Sequence, residues 1–225
     1  MRKRHLGFGL ISTLFAVGLR AVCAAQPTKV IELVGQDGVT SVAVIRVSAQ
    51  NALLESPKSP ETYLMTPEAM FAIRHQDRTY RADRLDELRA ALKRKVDEIA
   101  ASRGRSGIES AIEFRVTEQI DTISGWRARR IMKLRNEKPE EDIWASSDLM
   151  PAALRAAWDS LWAGMPPDYW TKVNGEPGLP ELILLYGVPL RILDRDGQTV
   201  VQARVRDDQG SSTSFEVPAG YRKLP

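Results

Sequence analysis

The chain has 225 residues, 32 Lys plus Arg against 29 Asp plus Glu, and a formal charge of +3. The surplus belongs to the segment ending at Ala25, which holds Arg2, Lys3, Arg4 and Arg20 and no acid, so taking those charges from +3 leaves −1 for the rest. Cys23 and His5 lie there too; the residues after Ala25 include no thiol and one histidine, His75, which excludes cysteine chemistry, cysteine-ligated zinc and charge-driven binding of nucleic acid or an anionic membrane.

A basic start, an apolar run from Leu6 to Leu19 and small residues from Ala21 to Ala25 form the pattern of a secretory signal peptide. The cut is expected near Ala24 or Ala25, with a periplasmic or secreted product. The apolar run is too short to span a bilayer. The remainder, about 200 residues, is long enough to bury roughly 70–75% of the surface its unfolded chain exposes. No linker or repeat divides it, and a single domain over 26–225 is expected.

Lys29–Leu33 reads as a first strand, with a turn at Gln36-Asp37-Gly38. Val39–Ser48 is β-branched on both faces, which suits a central strand. Ser56–Pro60 is a loop, and Thr62–Thr66 a short strand. Met70–His75 and Arg78–Ala82 make a hairpin in which Phe71 and Ile73 lie beside Ala82 and Tyr80. His75 falls at its end next to Arg78, and no positioned partner is visible for acid–base work.

Asp83 is placed to cap a long helix. Leu85, Leu88, Leu92, Val96 and Ile99 share one face, and Arg103-Gly104 is a natural stop. Lys93/Asp97 and Arg94/Glu98 decorate the outer face. Without a cationic surplus or bulky aromatics, this helix is expected to pack on a sheet, not on a membrane.

The most regular patterning runs from Ser110 to Ser146 and predicts a three-stranded antiparallel meander. Ile112, Phe114 and Val116 alternate with polar residues. Trp126, Ala128, Met132 and Leu134 share a face with Arg130, opposite Arg127, Arg129, Lys133 and Arg135. Pairing Ile120 with Trp126 sets Phe114 against Met132 and Glu113 against Lys133; pairing Arg135 with Glu141 brings Trp144 near Met132. Asp148 is placed to cap a second helix striped by Leu154, Trp158, Leu161 and Trp162. Met165–Gly178 is a Pro/Gly-rich loop. Pro180 starts a short third helix over Glu181–Tyr186, closed by Gly187. Leu190–Leu193 and Thr199–Arg206 form a hairpin, Ile192 by Val201 and Leu190 by Ala203, with Asp196-Gly197 as a type I′ turn. Thr213–Val217 is the last predicted strand.

The chemical motifs are few. Asp194-Arg195-Asp196-Gly197 lacks the remaining ligands of a calcium loop. No phosphate-binding glycine loop occurs, so neither nucleotide nor cofactor is expected. Glu140-Glu141-Asp142 cannot converge from one strand. Arg127 and Arg129, with Arg204 and Arg206, form either a basic strip for phosphate or carboxylate or a solvated face balanced by Glu113, Glu118 and Asp207.

Two stretches carry a resemblance. Ser124-Gly125-Trp126-Arg127-Ala128-Arg129 and Asp142-Ile143-Trp144-Ala145-Ser146-Ser147-Asp148-Leu149 resemble a Gly-aromatic strand followed by a Trp-x-small-x-Asp-Leu strand. Gly187-Val188-Pro189-Leu190 and Phe215-Glu216-Val217-Pro218-Ala219-Gly220-Tyr221 resemble a Gly-x-Pro-Leu strand and a Phe-x-Val-Pro-x-Gly-Tyr terminus. The pattern is similar to a family of secreted bacterial proteins of unknown function, remotely similar in turn to periplasmic lipoprotein-carrier half-barrels. Where that family often has Cys or Lys after the Gly-aromatic pair, this chain has Arg127 and Ala128, so no role of that thiol carries over.

The resemblance and the patterning together imply an α+β fold: a curved antiparallel half-barrel sheet with one long and two short helices packed on it. The expected function is non-enzymatic binding of an apolar ligand, an acyl chain or lipoprotein segment, between sheet and helices. Phe71, Phe114, Trp126, Met132, Trp144, Trp158 and Trp162 are the candidate lining. Expected partners are a lipid or lipoprotein, with the membrane reached only through them. The alternative is an envelope structural or interaction protein in which the same aromatics are ordinary core.

Overall fold

The computed structural model describes residues 28–90, 94, 98, 112–162, 178–208 and 214–225. The signal segment, Leu92, Val96 and Ile99 of the predicted long helix, its stop at Arg103-Gly104, and most of the Pro/Gly-rich loop lie outside them.

Among the described residues twelve strands form one sheet. They are β1 (Thr28–Gly35), β2 (Ser41–Val47), β3 (Ala52–Glu55), β4 (Glu61–Met65), β5 (Ala69–Arg74), β6 (Thr79–Arg84), β7 (Ile112–Ile123), β8 (Trp126–Arg135), β9 (Lys138–Ser146), β10 (Val188–Asp194), β11 (Thr199–Asp208) and β12 (Arg222–Lys223). Helix α1 starts at Leu85 and is described over 85–90; α2 is Ala152–Trp162 and α3 is Leu179–Tyr186. The spatial order is β12-β6-β5-β4-β3-β2-β1-β11-β10-β9-β8-β7. Two meanders, β1–β6 and β7–β11, therefore meet where β1 pairs with β11. Every pairing is antiparallel except β12 with β6, which is parallel. The fold is α+β with an unclosed sheet ending at β12 and β7.

The sheet is strongly curved. Three strands separate β8 from β1, which in a flat sheet sets them about 19 Å apart. Yet Lys29 Nζ lies 5.1 Å over the Trp126 ring, and Ser124 Oγ donates to the Ala203 carbonyl of β11 at 3.4 Å. The tip of the β7–β8 hairpin has come back over the centre of the sheet. A main core fills the bend: Ile31, Leu33, Ala43, Ile45, Leu54 and Met65 from the first meander, Leu154, Trp158 and Leu161 from α2, Ile183 and Leu184 from α3, and Ile123 and Ala128 from the hairpin tip. Leu85 and Leu88 of α1 pack against it.

Local chemistry explains the turns. Asp37 accepts hydrogen bonds from the Val39 and Thr40 N–H groups at 2.9 and 2.8 Å and from the Thr40 hydroxyl. These donors, the Thr40 hydroxyl foremost, lower its carboxyl from 3.8 to about 2. A depressed carboxylate stabilises the fold fully above its unfolded value and loses that stabilisation as pH falls through the folded one. Side-chain carboxyl NMR should find Asp37 titrating near 2; a midpoint at the ordinary 3.8 contradicts the turn geometry.

Several expectations hold: Phe71 pairs with Ala82, Ile73 with Tyr80 and Ile192 with Val201, and Gly187 closes α3. Others do not. Strand β3, with only four residues, has too few positions to show a period and is absent from the expected elements. Asp83 lies inside β6, paired with Arg81 at 3.1 Å, and caps nothing. Asp148 precedes α2 by a turn closed by Met150 N–H on the Ser147 carbonyl. Only Gly197 of the β10–β11 loop has positive φ, and Asp194 takes N–H bonds from Asp196 and Gln198, a three-residue turn with a bulge instead of type I′. Residues 214–221 are not a strand. A turn closed by Tyr221 N–H on Pro218 O leads into β12, and Tyr221 OH lies 3.0 Å from His75 Nδ1.

The meander register is the largest correction. The first turn is the two-residue Ser124-Gly125, both at positive φ, so β7 runs on to Ile123 and pairs it with Trp126. An irregularity between Val116 and Ile120 then sets Phe114 against Lys133 and Arg115 against Met132. Phe114 and Met132 are on opposite faces. Trp144 pairs with Arg130, keeping the Met132 face.

Candidate functional site

Both faces of the β8–β9 pair are covered. Ala128, Trp126 and Trp144 turn into the main core. Ile131, Ile143 and Ala145, of opposite parity, form a second cluster with Phe114, Ile192, Leu182 and Tyr186. Helix α3 explains this. Its sequence LPELILLY is apolar almost all round, as expected for a helix buried from more than one side. Ile183 and Leu184 enter the main core, while Leu182 and Tyr186 enter the second cluster.

The face of Arg127, Arg129 and Lys133, expected to be wet, is thus occupied at its middle. Ile131 is 1% exposed and Lys133 5%. The Lys133 ammonium lies 3.2 Å from Glu140 and 3.4 Å from Glu141. Arg135, at 3.0 Å, and Lys133 hold the Glu140 carboxyl below the usual range.

Above Ile131 the covering stops short of β7 and leaves an open groove of about 400 Å³. Its sheet side is Val116, Ile120, Arg127, Arg129, Ile131 and Ala145; its helix side is Arg155, Leu185 and Tyr186, with Ser147 and Asp148 at the β9 exit. Val116 and Ile120 are 46% and 45% exposed, although both are large and apolar. Tyr186 stacks on Phe114 at 5.9 Å, and burial raises its hydroxyl to about 12, so the ring enters the groove as a neutral phenol. The space between α2 and α3 is only about 50 Å³. A shallower trough of about 350 Å³ lies at Lys29, Val47–Ala49 and Asp148–Pro151.

The six aromatic and methionine candidates with described side chains do not line one space. Trp158 is 2% exposed and belongs to the core, with Trp126 and Trp144 packed on it. Phe71 lies in the first meander against Tyr80, centroids 6.2 Å apart. Met132 is half-buried beside Asp142 and Arg115 in the pairing. The Trp162 side chain lies outside the described residues. Phe114 stacks on Tyr186, which lines the groove, and none of the six candidates with described side chains lines the groove itself. The residues missed include Val116, Ile120, Ile131, Arg155, Leu185 and Tyr186. Ile131 interrupts the run of cations on its strand face, which was the available signal. Among the described residues no three His, Cys, Asp or Glu side chains are grouped to hold a metal, and no helix is long and apolar enough to cross a membrane.

Comparison with protein-family models gives no match, and neither does comparison with curated proteins. Among solved structures, an uncharacterised conserved protein from Thermus thermophilus aligns over 89% of this chain and 91% of its own, with 8% identity and a TM-score of 0.36. A LolA superfamily protein from Nitrosomonas europaea aligns over 81% of this chain and 84% of its own, with 10% identity and a TM-score of 0.23, a remote similarity.

Proposed function

We propose that the protein is a non-enzymatic, exported binding module for an acyl chain, free or carried on a lipoprotein segment, held in the groove between β7–β8 and α2–α3. The observation that carries this reading is the exposed pair Val116 and Ile120 above the buried Ile131, in a concavity open to solvent. About 400 Å³ is within the range of small-molecule sites. Each methylene removed from water contributes about 0.8 kcal/mol, so ten of them give roughly 8 kcal/mol before the cost of association. The signal-peptide pattern of residues 1–25 supports the compartment.

Native mass spectrometry with lipid extraction of the full chain, purified from the envelope of the producing cell, tests this. Wild type should carry an acyl-chain lipid or take one up. The double variant Val116→Asp, Ile120→Asp should lose it while its circular dichroism is unchanged, because both positions are already half in solvent. Absence of any bound or acquired chain on wild type overturns the reading.

The filled interior favours one second reading, an envelope interaction protein with no small ligand. In that case crosslinking in the envelope traps one dominant protein partner, and the groove stays empty under lipid loading.

A further inference from the structure

The groove is lined by cations that an apolar chain alone leaves unexplained. Within the β7–β9 meander, Arg115, Arg130 and Arg135 each have a carboxylate, Glu113 at 3.0 Å, Asp142 at 2.6 Å and Glu140 at 3.0 Å. Arg127 and Arg129 have no ion pair among the described residues. The register is the cause. Arg129 is flanked across the sheet by Ile120 and Ala145, and Arg127 by Thr122, so neither has an acid opposite. Two residues apart on one strand, they project from one face with Cα atoms about 7 Å apart. Arg155 enters from α2; its contact with Asp159 is an exposed i,i+4 pair at 3.5 Å, which binds weakly and leaves its guanidinium available. Asp148 on the same lining offsets one of the three positive charges.

Guanidinium groups held near each other without counter-charge repel, and a ligand anion relieves this through paired N–H···O contacts. Resting on the acyl-chain reading, we propose that the groove selects a single-chain amphiphile with an anionic head group. Its chain lies on Val116, Ile120, Ile131 and Leu185, and its carboxylate or phosphate is held by Arg127, Arg129 and Arg155. Tyr186, neutral at physiological pH, adds no repulsion to that anion.

Displacement of a fluorescent fatty acid from the full chain by palmitate, lysophosphatidate and hexadecanol, each kept below its solubility or micelle limit, tests this. Palmitate, lysophosphatidate or both should bind about tenfold or more tightly than hexadecanol, with the advantage shrinking as salt rises. The order of the two anions tells carboxylate from phosphate recognition. The Arg127→Gln, Arg129→Gln double variant should lose the preference for the anions over hexadecanol. Equal binding of all three by wild type, or an undiminished preference in the variant, overturns the anionic head and leaves the acyl-chain reading standing. Binding of none of the three removes both.

Discussion

Replacing Trp158 with alanine should destabilise the protein by about 3–5 kcal/mol, the usual cost of removing a fully packed indole. Trp158 is 2% exposed at the middle of α2, between Leu154 and Leu161, which are 0% and 1% exposed. Its indole N–H donates to the Thr66 carbonyl at 3.3 Å, in the turn between β4 and β5. One side chain thus joins the α2 helix to the first meander and fills the bend of the sheet. Its loss leaves a cavity and an unpartnered carbonyl. Urea denaturation of the two proteins measures this directly. A change below about 1 kcal/mol contradicts a packed core at this point and returns Trp158 to the lining of a cavity.

Gly187→Ala should cost about 3 kcal/mol or more, or prevent folding. Gly187 has φ +96° and ψ −178°, a conformation essentially confined to glycine and costing about 1–3 kcal/mol for other residues. A Cβ there meets the Ser146 carbonyl oxygen at 2.5 Å, its carbon at 2.6 Å and the Ser147 nitrogen at 2.7 Å. All three are backbone atoms, so no rotamer change relieves the clash. The close approach exists because Val188 pairs with Ser146 just where β9 leaves the sheet toward α2. Gly187 also donates its N–H to the Ile183 carbonyl and ends α3. Gly125→Ala is the contrast: a Cβ there meets nothing within 4 Å, so only the positive-φ strain remains. Thermal unfolding of the two variants should separate them clearly, with Gly187→Ala the lower; equal melting temperatures contradict the packing around Ser146.

What was legible in the residues was local. The stripe of Leu154, Trp158 and Leu161 fixed the buried face of α2, and alternation fixed the β5–β6 register and the Ile192–Val201 pair. What failed depended on one backbone detail or on distant chain. Asp121 and Thr122 look like turn residues, but Ser124-Gly125 makes the tighter turn, and the irregularity at Val116–Ile120 then moves Phe114 to the face opposite Met132. No periodicity encodes such a bulge. The groove was invisible for a different reason. Arg127 and Arg129 look solvated on their own strand, and only the positions of α2 and α3, much later in the chain, convert their face into a wall. The apolar girth of LPELILLY indicates burial on several sides, yet it does not say against which strands. Tyr221 likewise reads as part of a terminal motif, while its contact with His75 comes from β12 joining the far edge of the sheet.

Photolabelling reads most directly where an acyl chain sits. A fatty acid carrying a diazirine in mid-chain, irradiated with the full-length protein and followed by peptide mass spectrometry, should mark β7 around Val116–Ile120 and α3 at Leu185–Tyr186. Competition by excess palmitate should remove the label. Label spread evenly over the surface, or concentrated on the first meander near Phe71 and Tyr80, contradicts the groove as the binding site.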